Sequence, residues 1–258
     1  MRFNLVLTFK KTSKNLLSFN YQYELSSWIY GVIAQADEAY SHFLHQTGYE
    51  IYQKRFKLFC FSNLYFPKYQ LHKDYIEILS SEFSFLISFY IDSASEKFIR
   101  GIFENQKGSI GNKAHQIDFL VSRVEAKPLL LNSERVRLKT LSPLVVAYKN
   151  TAGKDDYLQP SDAKFKEIFL QNLLDKYRAT GKEIPPEWQH YDFGLEVFEP
   201  IRSKLISLKN HTEHPIRIKG YVFEFVLQAP IALLELGLLA GFGKHNAEGF
   251  GFCEVVER

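Results

Sequence analysis

The sequence predicts an α+β fold in which a βαββαβ unit occurs twice and a glycine-rich loop lies near the carboxyl end. The first observation is an alternation of apolar and polar residues over residues 3–9, which has the period of a half-buried strand. The second is an apolar stripe with the i, i+3, i+4, i+8 spacing of a core-facing helix, at Phe165, Ile168, Phe169 and Leu173. Strand and helix patterns follow in the same order in both halves, and this is the ferredoxin-like, or RRM-like, order.

The first half contains a complete unit with one added hairpin. After the strand at residues 3–9, a helical stretch at 25–36 continues to residue 45, and short apolar runs predict strands at 57–66, 75–79 and 83–91. A helix at residues 93–104 and a strand at 115–125 complete the unit near Ala126. We therefore predict an amino-terminal ferredoxin-like domain at residues 1–126 and a carboxyl-terminal one at 127–258.

The second half repeats the order. Strands are predicted at residues 136–141 and 145–148, followed by the helix at 161–178 that carries the apolar stripe, and by strands at 196–208 and 216–227. A polar turn at residues 211–215 joins the strands at 196–208 and 216–227. A helix from residue 230 to about 239 and a strand at 251–256 close the chain, with the glycine-rich loop between them.

Composition indicates a folded protein whose charge permits an anionic partner without requiring one. The chain has 258 residues, 46% hydrophobic and 16% aromatic, with a formal net charge of +3. Cys60 and Cys253 lie in predicted strands, so buried thiols in a reducing cytosol are expected. We find no signal peptide and no apolar run long enough to cross a membrane, and we expect a cytoplasmic protein. The dispersed histidines have no metal-ligand spacing, so we expect no metal and no cofactor.

The glycine-rich loop concentrates five of the chain's 14 glycines in residues 237–251. It is neither a Walker loop, since Lys244 is followed by His245 rather than Ser or Thr, nor a dinucleotide fingerprint, since Asn246 stands where the third glycine belongs. Two interpretations stay open. The loop grips phosphate through its backbone N–H groups and Lys244, or it is a structural turn from helix to strand. Glu248 would offset part of any attraction for phosphate.

Several blocks together resemble a known family. They are Gly-x-Gly, five residues and Gly-Phe-Gly at 241–251, the opening strand at 1–7, and the segments at 20–30, 43–45, 56–62 and 137–146. This pattern is similar to the CRISPR-associated protein 6 family, endoribonucleases that cut precursor CRISPR RNA within its repeats. The resemblance spans nearly the whole chain and implies tandem ferredoxin-like domains that bind repeat RNA across a cleft.

The resemblance also implies a catalytic set in the amino-terminal domain, namely His45, Tyr30 and Lys57. Cutting RNA without a metal needs groups that take a proton from the 2′-hydroxyl, give one to the leaving 5′-oxygen, and balance charge on the phosphorane. Histidine suits the first two tasks and lysine the third. Each residue also has a structural interpretation: His45 shares a helix face with His42, Tyr30 fits a core, and Lys57 fits a solvated strand.

RNA contacts are expected from the loop and from the hairpin that precedes it. The predicted RNA-binding residues are Gly241, Gly243, Lys244, His245, Asn246, Gly249, Gly251, Arg217 and Lys219. Alternation would place Arg217 and Lys219 on one strand face with Tyr221 and Phe223, although a solvated sheet face has the same pattern.

The resulting hypothesis is a metal-independent endoribonuclease that produces a 5′-hydroxyl and a 2′,3′-cyclic phosphate. The alternative is a non-catalytic repeat RNA-binding protein or guide-complex subunit with the same fold. The expected partner is single-stranded or weakly structured CRISPR repeat RNA, without a membrane. Association with other effector-complex subunits, and a homodimer, stay open.

Overall fold

The computed structural model describes residues 1–10, 13–112, 114–208 and 215–256. The elements of the first half are, in chain order, β1 (Arg2–Phe9), β2 (Leu16–Ser18), α1 (Gln22–Ala36), α2 (Glu38–Gln46), β3 (Tyr49–Ile51), β4 (Lys54–Phe56), β5 (Phe59–Phe61), β6 (Tyr69–Leu71), β7 (Tyr75–Ile78), β8 (Glu82–Phe89), α3 (Asp92–Glu104), β9 (Lys107–Gly111) and β10 (Gln116–Ala126).

The second half repeats this alternation with fewer elements. They are β11 (Arg135–Thr140), β12 (Val146–Lys149), β13 (Asp155–Leu158), α4 (Phe165–Ala179), β14 (Gly194–Leu208), β15 (Ile216–Gln228), α5 (Ile231–Ala240) and β16 (Cys253–Val255). Two 3₁₀ turns, at Pro186–His190 and Asn246–Glu248, follow α4 and α5. We refer to the second as the 246–248 turn.

Each half forms an antiparallel sheet with the same strand order. The first sheet runs β5-β8-β1-β10, with β9 added at the edge, and the second runs β14-β15-β11-β16. In both, the first strand of the unit lies between the third and the fourth, which is the ferredoxin-like arrangement. The predicted fold class, two tandem ferredoxin-like units, is therefore confirmed.

The helices cover their sheets with the residues that the sequence patterns indicate. Leu25, Ile29 and Phe98 join the core of the first half, while Phe169 and Leu173 of α4 join the core of the second. Burial of these apolar side chains is the main stabilising contribution of each unit. None of the helices in the described part of the chain is long and apolar enough to span a membrane.

The helical stretch predicted to continue from residue 25 to 45 is in fact two helices. Asp37 stands between α1 and α2 in an extended conformation, with φ −159° and ψ 97°. Its carboxylate accepts a hydrogen bond from the backbone N–H of Tyr40 at 2.8 Å, and Lys97 pairs with the other oxygen at 2.8 Å. An aspartate that caps a new helix in this way ends the previous one. The break turns α2 back against α1.

Other elements are shorter or paired differently than expected. The strand predicted at residues 57–66 is reduced to β5. Leu58 has a positive φ of 54°, so the extended conformation begins only after this residue. The preceding residues form a β3–β4 hairpin, and β12 pairs with β13 in a separate sheet. The turn predicted at residues 211–215 falls almost wholly on residues outside the described chain. The domain boundary after residue 126 stays a prediction, with β10 ending at Ala126 and β11 beginning at Arg135.

Arg2 joins the two halves. It lies on β1 and is buried. Its Nη2 donates to two carbonyls of the second half, those of Leu238 on α5 at 2.7 Å and Cys253 on β16 at 2.9 Å. Its guanidinium also lies 4.6 Å from the ring centroid of Phe252. The cysteines Cys60 and Cys253 are free and buried, as predicted, and burial raises the pKa of the Cys60 thiol to about 11.

Candidate cleavage site and glycine-rich loop

Three side chains from separate segments meet where α1, α2 and the chain after β4 come together. The rings of Tyr30 and His45 lie edge to face, with centroids 5.3 Å apart and an interplanar angle of 83°. Lys57 donates from Nζ to the backbone carbonyl of His45 at 2.9 Å. The three residues assigned to catalysis by resemblance are therefore neighbours. Their catalytic role stays a prediction.

Local contacts hold this arrangement. Ser41 of α2 donates from Oγ to the carbonyl of Tyr30 at 2.9 Å, which ties the two helices together beside the site. Gly48 has a φ of 66°, and a Cβ there would lie 2.4 Å from the carbonyl of Phe56 and 3.3 Å from Lys57 Nζ. Only glycine fits both this backbone conformation and this close approach.

The polar groups of the site differ in their surroundings. Burial, and secondarily the charge of Glu248, raises the pKa of Tyr30 well above its ordinary range, so its phenol is a proton-bearing donor at neutral pH. Burial and the neighbouring Arg55 lower the pKa of Lys57. His45 is exposed and lies near the carboxyl end of α2, while Tyr30 also packs its ring against Phe59 at 5.6 Å.

The second half of the chain reaches the site through the 246–248 turn. Ser26, buried on α1 one helical turn before Tyr30, donates from Oγ to the carbonyl of Ala247 at 2.6 Å. Glu248 accepts from His245 Nδ1 at 2.6 Å, or pairs with it when the ring is protonated. Sequence reasoning treats Glu248 as a repulsive neighbour of RNA and misses Ser26 altogether. The helical period is the signal that could have found it, since Ser26 shares the buried face of α1 with Ile29 and Ile33 while Ser27 is exposed.

The glycines of the loop are buried. Gly241, Gly243, Gly249 and Gly251 all have positive φ, at 85°, 69°, 89° and 72°. Two of their backbone donors are already used within the protein. The Gly249 N–H donates to the backbone carbonyl of Asn246 at 3.2 Å, and the Gly251 N–H donates to the carbonyl of Pro143 at 2.9 Å. This geometry favours the structural turn, our second interpretation, for these glycines. Direct contact of the four with RNA stays a prediction.

The polar residues of the loop also have partners inside the protein. Lys244 pairs through Nζ with Asp155 on β13 at 2.7 Å, and its N–H donates to the carbonyl of Val145 at 2.8 Å. Asn246 donates from Nδ2 to the carbonyls of Phe242 at 2.9 Å and Phe250 at 3.0 Å. The charge of Lys244 is thus balanced by Asp155, which weakens its attraction for phosphate in this conformation.

The β14–β15 hairpin differs from the expected surface on which basic and aromatic side chains together face RNA. Arg217 and Lys219 are exposed, as an RNA-facing surface requires, but Tyr221 and Phe223 are only 5% and 3% exposed. Farther along the strand this face is covered by the core of the second half, to which Tyr221 and Phe223 belong. Tyr221 and Phe223 cannot stack on bases there. Lys219 instead lies over the Tyr221 ring at 5.5 Å and lines a cavity of about 310 Å³.

No cluster of three or more His, Cys, Asp or Glu side chains placed to hold a metal occurs among the described residues.

Two glycines with similar φ angles provide a test of the structural interpretation of the loop. Gly243 (φ 69°) would place a Cβ 2.2 Å from the carbonyl of Val145, whereas Gly153 (φ 73°) has open space around it. Gly153→Ala is expected to cost about 1–2 kcal/mol, from the left-handed conformation alone, and Gly243→Ala more than about 3 kcal/mol, because backbone must also move. Chemical denaturation of both variants checks this. Equal losses would show that the loop yields at Gly243 and is not a rigid turn.

Comparison with known families accounts for both halves. The family model described as "CRISPR associated protein Cas6, C-terminal" matches residues 125–255, and "CRISPR-associated protein Cas6, N-terminal" matches residues 16–125. The chain belongs to the Cas6 family. The resemblance on which the sequence analysis depends is therefore confirmed.

Individual relatives agree with this assignment. "CRISPR-associated endoribonuclease Cas6 1" of Methanocaldococcus jannaschii is 31% identical over 245 residues, which are 94% of this chain and 88% of that protein. A solved structure described as "CRISPR associated protein Cas6" is 31% identical with a TM-score of 0.77, covering 100% of this chain and 99% of the other. Another, "An RAMP protein binding different RNA substrates", has a TM-score of 0.82 at 22% identity with 100% of both chains covered, and shares the fold.

Proposed function

We propose that this Cas6-family chain is an endoribonuclease that cuts precursor CRISPR RNA within its repeats, without a metal ion. The observation that carries the proposal is the convergence of Tyr30, His45 and Lys57 from three segments of the chain. The name of the Methanocaldococcus jannaschii relative, an endoribonuclease, supports the same activity. The solved RAMP protein described as binding different RNA substrates supports RNA as the ligand.

In the proposed reaction the 2′-hydroxyl attacks the adjacent phosphorus. The 2′-oxygen to phosphorus bond forms, the bond from phosphorus to the 5′-oxygen breaks, and the products are a 2′,3′-cyclic phosphate and a 5′-hydroxyl. One proton leaves the 2′-hydroxyl and one arrives at the 5′-oxygen, so the step balances without another reactant.

The surroundings of each side chain fit a different task. An imidazole ring can both accept and donate a proton, which suits the exposed His45 for proton transfer. The raised pKa of Tyr30 makes it a donor rather than a base, so its hydroxyl suits a phosphate oxygen or the leaving group. The Lys57 ammonium supplies positive charge for the phosphorane. Arg217 and Lys219 are exposed and suited to contact phosphates farther along the RNA.

The competing function is that of a repeat RNA-binding protein without catalysis. That function needs the basic surface of the β14–β15 hairpin, but it does not call for the Tyr30 and His45 rings to lie edge to face with Lys57 beside them. The geometry of the cleavage site therefore favours the enzyme.

The deciding experiment incubates the purified chain with end-labelled repeat RNA from its own genome, once with EDTA and once with Mg²⁺. We expect one cut within the repeat at equal rates, and a downstream product that a kinase labels without prior phosphatase treatment, because it begins with a 5′-hydroxyl. A shuffled RNA of the same composition is the control. Tight binding without a cut would favour the competing function, and cutting only with Mg²⁺ would rule out the proposed mechanism.

A further inference from the structure

A lysine is buried beneath the glycine-rich loop. Lys176 lies on α4 and is only 2% exposed, although lysine is among the residues least often buried. Its Nζ donates to three oxygens of the loop: the carbonyl of Gly241 at 2.5 Å, the carbonyl of Gly243 at 2.7 Å and Oδ1 of Asn246 at 2.6 Å. All three N–H donors of the ammonium are therefore used, and all by the same short loop.

This network fixes the path of the loop from the inside. Gly241 and Gly243 adopt positive φ and turn their carbonyls toward one ammonium, while Asn246 accepts from Lys176 and donates to two further loop carbonyls. Burying a charge is costly unless it is fully hydrogen-bonded, and replacing a buried charged group together with its polar partners by apolar residues is often neutral or stabilising. Stability alone therefore does not account for a lysine here.

The far side of the loop contacts α1 next to the cleavage site. Ala247 follows Asn246 directly and accepts the hydrogen bond from Ser26, one helical turn before Tyr30 on α1. The next residue, Glu248, contributes to the pKa shifts of both Tyr30 and Lys57. An unbroken series of contacts thus leads from the Lys176 ammonium through the 246–248 turn to α1.

We propose that Lys176 is a positioning residue for RNA cleavage, which holds the glycine-rich loop in the shape that docks on α1 and sets the geometry around Tyr30. The assignment rests on the proposed function. It gives the loop a role that does not need its glycines to touch RNA. The loop transmits the position of the second domain to the cleavage site of the first.

The pH dependence separates positioning from simple stabilisation. Burial lowers the pKa of Lys176 to about 7, whereas an unfolded lysine titrates near 10.5. Between these values the unfolded chain binds more protons, so this group makes the fold more stable as pH rises. The neutral amine, however, keeps only two N–H donors for three oxygens. Positioning by Lys176 therefore predicts that its contribution to cleavage declines while stability increases.

Other titratable groups near Lys176 do not obscure this effect. The thiols of Cys60 and Cys253 face it, and burial raises the pKa of both. Arg2 lies near the same thiols. On its own helix, Asp175 is paired with Lys54 and Arg178. Comparing wild type with a variant at each pH removes the common contributions of these groups and of His45.

The test uses Lys176→Met, which removes the ammonium at similar length, and Ser26→Ala, which removes the contact between loop and α1. Ser27→Ala is the matched control, because Ser27 is exposed on the same helix and its hydroxyl donates within that helix, to the carbonyl of Tyr23 at 2.9 Å. Single-turnover cleavage at saturating repeat RNA, RNA affinity and thermal melting are measured from pH 6 to about 9, where wild-type Lys176 loses its proton.

We expect Lys176→Met to cut about 10²-fold more slowly at pH 6, as a displacement near 1 Å at a reacting centre produces, while RNA affinity changes little. Its melting temperature should also fall, because three buried loop oxygens lose their donor, but this loss should not follow the cleavage rate as the pH changes. The cleavage defect should shrink as pH rises. Ser26→Ala should lose about tenfold, the equivalent of one hydrogen bond, and Ser27→Ala nothing. The double variant Lys176→Met with Ser26→Ala should be no slower than Lys176→Met alone, since both act through one contact series.

Each outcome decides the assignment. Cleavage by Lys176→Met at the wild-type rate overturns it, as does a defect that tracks the loss in melting temperature at every pH. If Lys176→Met does not fold, equal rates for Ser26→Ala and Ser27→Ala overturn it instead. A wild-type chain that binds repeat RNA without cutting it overturns the proposed function together with this assignment, so the two failures are distinguishable.

Discussion

Replacing His45 with alanine is expected to lower the single-turnover rate of repeat cleavage by about 10²–10⁴-fold, the usual contribution of one general acid or base. RNA affinity should change little, because phosphate contacts elsewhere carry most of the binding free energy. The exposed position of His45 at the end of α2 makes unfolding of the variant unexpected. Rates at saturating protein and filter-binding affinities, measured on one preparation, give both quantities.

His42 provides the matched control for this experiment. It is exposed on the same helix, one turn earlier, so His42→Ala removes an equal ring from a similar environment. We expect this variant to cut at the wild-type rate. Undiminished cleavage by His45→Ala together with a slow His42→Ala would move the assignment to His42. Two active variants would direct attention to His245, which lies beside Glu248 in the loop.

The regular elements of the fold could be predicted because their patterns are local. The alternation at β1 and the apolar stripe of α4 report directly which face is buried, and the order of such segments indicates two βαββαβ units, which the family resemblance supports. The break at Asp37 could not be predicted because an aspartate followed by Glu38 within a helical pattern is typical of a solvated helix position. Its role as a cap depends on the Tyr40 N–H and on Lys97, sixty residues away in sequence.

The cleavage site could be named from resemblance but not assembled from sequence. Nothing in the spacing of Tyr30, His45 and Lys57 requires their convergence, which depends on α2 folding back and on Gly48 letting Lys57 approach. The burial of the glycine-rich loop could not be predicted from its residues. A run of glycines looks like an exposed anion-binding loop, yet its positive φ angles serve a turn packed between the two halves.

Lys176 illustrates why such features escape sequence analysis. In the pattern of α4 it is one more cation next to an acid, and its neighbour Asp175 invites the interpretation of a solvated pair. Only the tertiary structure reveals that both are buried, at 2% and 1% exposure, and that they face different partners. Asn246, which accepts from Lys176, lies seventy residues farther along the chain, and so distant a partner leaves no local signature in the sequence.

A single 2′-deoxy nucleotide immediately 5′ of the scissile phosphate is expected to abolish cutting altogether. The attacking nucleophile is then missing, and neither His45 nor Lys57 can replace it. Binding should survive, since one hydroxyl is a small part of an RNA interface. The control carries its 2′-deoxy nucleotide one position farther upstream and should be cut normally. Gel analysis over long incubations with EDTA measures both. Cutting of the first substrate at the same bond would mean that water is the nucleophile, and Tyr30, His45 and Lys57 would then need roles in activating it.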